Sequence, residues 1–195
     1  YYVLLTGQPV LFSGTSELSP ELIVTQPGDE VELRFVPSPQ GIAVDADGVY
    51  WTGGGYTADG YVMRCGLLGC GGVPTPLATG QVVPQQIVAD RGVLTWANSN
   101  LDGLGGGSIM ACGTMGCTAA PLFVGPYAYN IAVDAANVYM TAQDTIRACA
   151  RSGCGTTATL LASPRGHHWH AVVVGAALLW TTWTYPSEPG GLMRC

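Results

Sequence analysis

The chain has 195 residues, of which 48% are hydrophobic and only 10% charged; glycine is abundant at 28 residues, proline is frequent at 13, and the net charge is −6. This mixture fits many short strands joined by tight turns, not helices or disorder. It lacks the basic footprint of a nucleic-acid binder. The longest apolar run, Ala171 to Trp180, is ten residues long and includes a glycine, too short for a transmembrane helix.

Along the chain, residues 1–35 come first and fit the later pattern poorly. Tyr1 to Leu5 and Val10 to Phe12 read as strands. Glu21 to Val24 and Glu30 to Phe35 read as a hairpin around Gln26-Pro27-Gly28-Asp29. The segment is either a degenerate repeat unit or an appended β segment. From residue 36 onward the chain repeats itself every ~44 residues, a period that marks stacked or radial strand units. The predicted units are 36–81, 82–125, 126–164 and a partial 165–195.

The first unit sets the pattern. Ile42-Ala43-Val44 is the inner strand and Asp45-Ala46-Asp47-Gly48 a turn. Val49-Tyr50-Trp51-Thr52 is a second strand of strong β-formers. A loop over 53–60 leads to Tyr61-Val62-Met63-Arg64, and Cys65 to Cys70 spans a tight bend before a short outer strand at Pro76-Leu77-Ala78. Four antiparallel strands in this length make one propeller blade. The later copies are Gln86-Ile87-Val88-Ala89-Asp90 with Val93 to Trp96, Asn130 to Asp134 with Val138 to Thr141, and His170 to Val174 with Leu178 to Thr181. Unit lengths differ mainly in the loop after the second strand, which is long at 98–107 and nearly absent in the third unit.

Each unit also carries cysteines with four residues between: Cys65/Cys70, Cys112/Cys117 and Cys149/Cys154. The spacing and the glycine before each second cysteine predict disulfides across a bend. Zinc would need four ligands at one point, and these pairs sit on different units. Disulfides predict an exported chain: secreted, periplasmic, or on the outer membrane or cell surface. The chain opens at Tyr1 without an initiator methionine, and the fourth unit stops at Cys195 before a partner cysteine. The start at Tyr1 predicts either a removed signal or a start inside a longer protein; the stop at Cys195, with too few units to close a ring, predicts a longer parent chain or a ring completed by other chains, with Cys195 paired to a residue outside this sequence.

The candidate ligand site lies where each unit enters its inner strand. There the chain places Gln40, Gln85, Tyr129 and the run His168-Trp169-His170, which in a propeller ring one mouth of the central channel. His168 and His170 are two apart, so on an extended strand they share a face, and their imidazoles suit a transition metal. The other reading is a polar rim bonded to water and backbone, with no cofactor. Asp45, Asp90 and Asp134 recur at one position and are expected to cap turns rather than hold calcium. Trp51, Trp96 and Trp180 share a register and are expected in the core. Trp169, Trp183 and Tyr185 fall outside that register and are candidates for facing a ligand or partner. No nucleophile elbow, phosphate loop or dinucleotide fingerprint is present.

Gly-Ile-Ala-Val-Asp at 41–45, Val-Tyr-Trp-Thr at 49–52, Val-Met-Arg-Cys at 62–65 and Leu-Ala-Thr-Gly-Gln at 77–81 together resemble the YWTD/NHL/TolB-like group of propellers. The cysteine-bearing version is similar to secreted repeat proteins of myxobacteria and related bacteria. The resemblance covers 36–195 and implies an all-β propeller, an incomplete portion of a ring of about six to eight blades. At the position of the motif's Asp this sequence has Gly53, Asn98, Ala142 and Thr182. It therefore lacks the side chain that supplies an inter-blade bond in those proteins. The leading functional expectation is a non-catalytic binding or scaffold module for a protein or glycan. The alternatives are a structural subunit of a multi-chain assembly, and a propeller hydrolase or lyase with a metal at His168 and His170.

Overall fold

A computed structural model of the chain describes residues 2–5, 8–11, 22–23, 32–33, 38–54, 59–71, 73–99, 106–125, 128–142, 145–163, 167–184 and 188–195. Every regular element among them is a strand. Two short hairpins come first: Tyr2–Leu5 (β1) with Gln8–Leu11 (β2), and Leu22–Ile23 (β3) with Glu32–Leu33 (β4). Then follow Pro39–Val44 (β5), Val49–Gly53 (β6), Gly60–Cys65 (β7) and Thr75–Gln81 (β8), which form one sheet in chain order. Pro84–Asp90 (β9), Val93–Asn98 (β10), Gly107–Gly113 (β11) and Ala120–Gly125 (β12) form the second. Asn130–Val133 (β13), Asn137–Ala142 (β14), Thr145–Ala150 (β15) and Thr159–Ala162 (β16) form the third. His167–Val174 (β17), Ala177–Thr184 (β18) and Glu188–Arg194 (β19) form a three-stranded fourth.

The up-and-down order follows from the turns. Asp45 and Asp134 each open a turn whose backbone their carboxylates cap. The second sheet turns differently: Arg91 and Gly92 both take positive φ, at 53° and 74°, the geometry of a two-residue hairpin turn. The register repeats from sheet to sheet. Ile42 faces Trp51, Ile131 faces Met140, and Ala171 faces Trp180. Trp51, Trp96 and Trp180 are all buried, as their shared register predicts.

The chain divides into two compact units, Tyr1–Leu94 with Gly113–Thr118, and Thr95–Cys112 with Ala119–Cys195. In the first, β5 lies against β9. A Cβ on Gly41 would stand 2.6 Å from the Gln85 carbonyl oxygen and 2.9 Å from the Gln86 Cα, so only glycine allows this approach. Val49, Trp51 and Cys65 form a core cluster with Ile42, Val44 and Met63 packed on it. In the second unit, Ala132 and Ile146 of the third sheet bury Leu178 and Trp180 of the fourth, with Ala171 and Val173 alongside. Each large side chain so buried contributes roughly 1.5–3 kcal/mol.

The cysteine bends close as expected. Cys65 is bonded to Cys70 and Cys149 to Cys154, with Cα separations of 5.3 and 5.5 Å, and Cys112 and Cys117 are also disulfide-bonded. Gly69 and Gly153, one residue before the second cysteine, take φ of 96° and 100° and donate their N–H groups back to Gly66 and Ala150. That is why a glycine precedes the second cysteine. Cys195 is a free, exposed thiol. Its backbone exchanges both hydrogen bonds with Leu178, on the strand position where Cys65 faces Val49 and Cys149 faces Val138.

Candidate functional site

The start of each inner strand is shaped by backbone before any side chain matters. Pro39 faces Gly53 and Gly41 faces Thr52, so Gln40 is an extra, bulged residue. The residues before the two prolines, Ser38 and Val83, take φ of 46° and 47°. Proline disfavours helical geometry in its predecessor, and a β-branched residue at positive φ is an outlier. Each such position costs on the order of 1–3 kcal/mol. The same strained turn thus sets Gln40 in the first sheet and Gln85 in the second.

In three of the sheets a threonine on the neighbouring strand bonds to the start of the inner strand. The buried Thr52 hydroxyl accepts the Gly41 N–H at 2.9 Å and donates to the Gln85 carbonyl of β9. In the third sheet Thr141 Oγ1 donates to the Asn130 carbonyl at 3.5 Å. In the fourth, the His170 N–H donates to Thr181 Oγ1 at 3.4 Å. Thr52 therefore supplies a bond between sheets where the motif's Asp is replaced by Gly53. A side chain at 53 has no room, because its Cβ would overlap the phenol of Tyr61. That phenol's pKa is raised by burial and by Asp59.

The candidate ligand residues fall into two groups. Gln40 is exposed and Gln85 half-buried on the adjacent strands β5 and β9 of the first unit. In the second unit Tyr129, half-buried, donates its N–H to the Thr141 carbonyl at 3.1 Å just before β13, and His170 is exposed on β17. The side chains of His168 and Trp169, with those of Trp183 and Tyr185, lie outside the described residues. The backbone of β17 corrects one expectation. His168 faces Thr182 and Ala171 faces Trp180, so a β-bulge lies between them. Alternation of faces holds only along an unbroken strand, and the two-residue spacing of His168 and His170 no longer places them on one face. Among the described residues no three His, Cys, Asp or Glu side chains gather as a metal site.

The repeated aspartates are engaged. Asp45 Oδ1 accepts the N–H groups of Asp47 and Gly48 at 2.8 and 3.1 Å and the Tyr50 hydroxyl at 3.0 Å. Asp134 Oδ1 accepts those of Ala136 and Asn137 at 2.7 Å each, and its Oδ2 accepts the Tyr139 hydroxyl at 2.7 Å. The tyrosine bond, with the two backbone bonds, holds the Asp134 carboxyl below its ordinary range. The Tyr139 phenol is raised by the same bond and by burial, and the Tyr50 phenol by burial and by Asp45. Sequence reading missed these tyrosines. Their signal is an Asp followed five residues later by Tyr, present in the first and third units and absent from the second, where Thr95 stands instead. Asp90, in the two-residue turn, lies 3.8 Å from Arg91 Nε.

The bends bond to the turns and strands beside them. In the first unit the Thr114 hydroxyl and N–H both donate to the Gly92 carbonyl, at 3.4 and 3.0 Å. In the second unit Cys154 and Gly155 donate their N–H groups to the Leu122 carbonyl of β12 at 2.8 and 3.2 Å, and the Val124 N–H returns to Gly155 at 2.8 Å. Phe123 and Gly155 form a parallel bridge there.

No protein-family model matches the chain, and no curated protein matches it in sequence. Solved structures do match. The WD40 β-propeller domain of Doa1 superposes with TM-score 0.55 at 14% identity, over 85% of this chain and 53% of that one. The computationally designed Ika4 protein superposes with TM-score 0.55 at 12% identity, over 80% and 91%. A luciferin-regenerating enzyme superposes with TM-score 0.54 at 12% identity, over 80% and 59%. A WD40 domain, a designed chain and an enzyme share this likeness, so it carries fold and not activity. With its four-stranded antiparallel sheets in chain order, the chain is a β-propeller.

Proposed function

We propose that this chain is an exported propeller module of the YWTD/NHL/TolB-like kind, akin to secreted cysteine-containing propellers of bacteria, that binds a protein or glycan and performs no catalysis. One observation carries the choice. The carboxylates of Asp45 and Asp134 each accept three hydrogen bonds from their own turn and its tyrosine, which leaves them poorly placed for acid–base chemistry. The inner-strand starts instead offer amides, a phenol and an imidazole at Gln40, Gln85, Tyr129 and His170. Uncharged polar and aromatic groups of this kind suit peptide backbone and sugar hydroxyls. Disulfides persist in oxidising compartments, which supports export. Among the described residues no helix is long and apolar enough to cross a membrane.

The test is binding of the purified chain to defined panels of oligosaccharides and peptides, repeated with Gln40→Ala/Gln85→Ala and with Tyr129→Ala/His170→Ala. The expected result is a ligand retained by the native chain and weakened by one of the double variants. Turnover of any panel member, or binding that both variants leave intact, contradicts the reading.

A further inference from the structure

In the first unit one hydroxyl joins two of the candidate ligand residues. Gln40 is the bulged residue at the start of β5, since Pro39 faces Gly53 and Gly41 faces Thr52. The Thr52 hydroxyl, 0% exposed, accepts the Gly41 N–H at 2.9 Å. Its own proton has two carbonyls in reach, and that of Gln85 on β9 is nearer than that of Gly41, which lies at 3.5 Å. A hydroxyl has a single proton to donate, so the bond goes to Gln85. The approach needs glycine. A Cβ on residue 41 would stand 2.6 Å from the Gln85 carbonyl oxygen and 2.9 Å from the Ile87 nitrogen, both backbone atoms that cannot turn aside. At the matching station the later sheets have Gln86, Asn130 and His170. In the third sheet the Thr141 hydroxyl bonds the Asn130 carbonyl of its own sheet.

Strain sits on both sides of this bond. Ser38 and Val83, each directly before the proline that opens its strand, take φ of 46° and 47°. Such backbone persists only where its surroundings over-determine it, and it clusters where groups are held ready for a ligand. We infer that Thr52 is a positioning residue: its hydroxyl, with Gly41, locks the starts of β5 and β9 together, so that Gln40 and Gln85 meet the ligand as one preorganised pair. Preorganisation cuts the ordering cost of binding. Thr52 is enclosed and acts only through the backbone of the two strand starts. The proposal rests on the reading of Gln40 and Gln85 as ligand groups and adds what holds them in place.

Two variants separate the hydroxyl from the packing. Thr52→Val keeps the shape and loses the hydroxyl; Thr52→Ser keeps the hydroxyl and loses a methyl. The first readout is nuclear-spin relaxation of the Gln40 and Gln85 backbone amides in the full chain without ligand. Both amides are expected to gain motion in Thr52→Val and to return to native values in Thr52→Ser. Thr141→Val, which removes a buried hydroxyl from the second unit, is expected to leave both unchanged, which tells loss of position from loss of stability. The second readout is affinity for whichever oligosaccharide or peptide of the panel the native chain retains. It is expected to fall about tenfold in Thr52→Val, the factor one hydrogen bond is worth, and to stay close to native in Thr52→Ser. Absence of any panel binder sinks the ligand reading of Gln40 and Gln85, while the relaxation still decides whether Thr52 locks them. If Thr52→Val does not fold, exchange of the Gly41 amide in the native chain decides, because Thr52 is its acceptor: slow exchange supports the lock and fast exchange overturns it. The proposal is also overturned if Thr52→Val leaves the two amides rigid, if Thr52→Ser loosens them as much, or if both variants lose affinity equally.

Discussion

Ile146 and Leu192 hold the same place in successive sheets, and the structure treats them oppositely. Ile146 is sealed between Thr141 and Ala162, whereas Leu192 has Thr181 on one side and, among the described residues, no paired strand on the other. The strand position sets which residue type is chosen; the presence of a fourth strand decides whether that residue contributes to stability. The first sheet shows the sealed case again, with Val62 between Thr52 and Ala78. A residue's worth in this fold is therefore read from its neighbours in the sheet and not from its own hydrophobicity.

The sharpest test of that contrast is to truncate both residues. Ile146→Ala is expected to lower unfolding free energy by about 2–5 kcal/mol, as large-to-small core changes do. Leu192→Ala is expected to stay within about 0.5 kcal/mol, as exposed sites do. Chemical denaturation of the two variants checks this, and equal losses would break the comparison. Next in size is the disulfide of the second unit. Cys149→Ser/Cys154→Ser is expected to cost roughly 2 kcal/mol from loop entropy alone. The backbone bonds of Cys154 and Gly155 to Leu122 do not depend on the sulfurs, so that variant should still fold cooperatively.

Thr52→Val keeps the shape while removing a buried hydroxyl that serves both Gly41 and Gln85. Its expected cost is about 1–3 kcal/mol, because both backbone groups lose their partner. Thr181→Val, at the exposed counterpart, is expected to cost a few tenths of that in the same melt, since water replaces the lost bond.

The smallest effects are in pH. Asp134 is depressed below its ordinary pKa by Tyr139 and by backbone donors. A depressed carboxyl contributes stability that is present above its unfolded pKa and lost as pH falls through the folded one. The raised phenols of Tyr50 and Tyr139 act in the other direction. Their contribution is full below the ordinary tyrosine pKa and is lost as pH rises through the folded values. Asp134→Asn is therefore expected to flatten the acid limb of a thermal-stability profile, and Tyr139→Phe the alkaline limb. A zinc titration of the same melt examines the histidines. A rise in Tm that disappears in His168→Ala would favour the metal reading.

Much of the fold was legible because period and register are written in side-chain type. Trp51, Trp96 and Trp180 mark one core position, and the cysteine pairs mark one bend. The turn role of Asp45 and Asp134 followed from a short acceptor placed before free N–H groups. Their bond to Tyr50 and Tyr139 was not found, since both tyrosines read as ordinary strand formers. The site was less legible. A bulge inserts a residue without changing composition, so the face shared by His168 and His170 was deduced from a spacing that β17 does not keep. Nor does the sequence of Leu192 differ in kind from Ile146. Only pairing separates them.

Residue-resolved hydrogen exchange of the free protein over β15 and β19 tests the central claim most directly. The account predicts slow exchange along β15, which is paired on both sides, and in β19 slow exchange only at amides bonded to β18, with fast exchange at the alternate ones around Leu192. Uniform slow exchange along β19 at low protein concentration would contradict it.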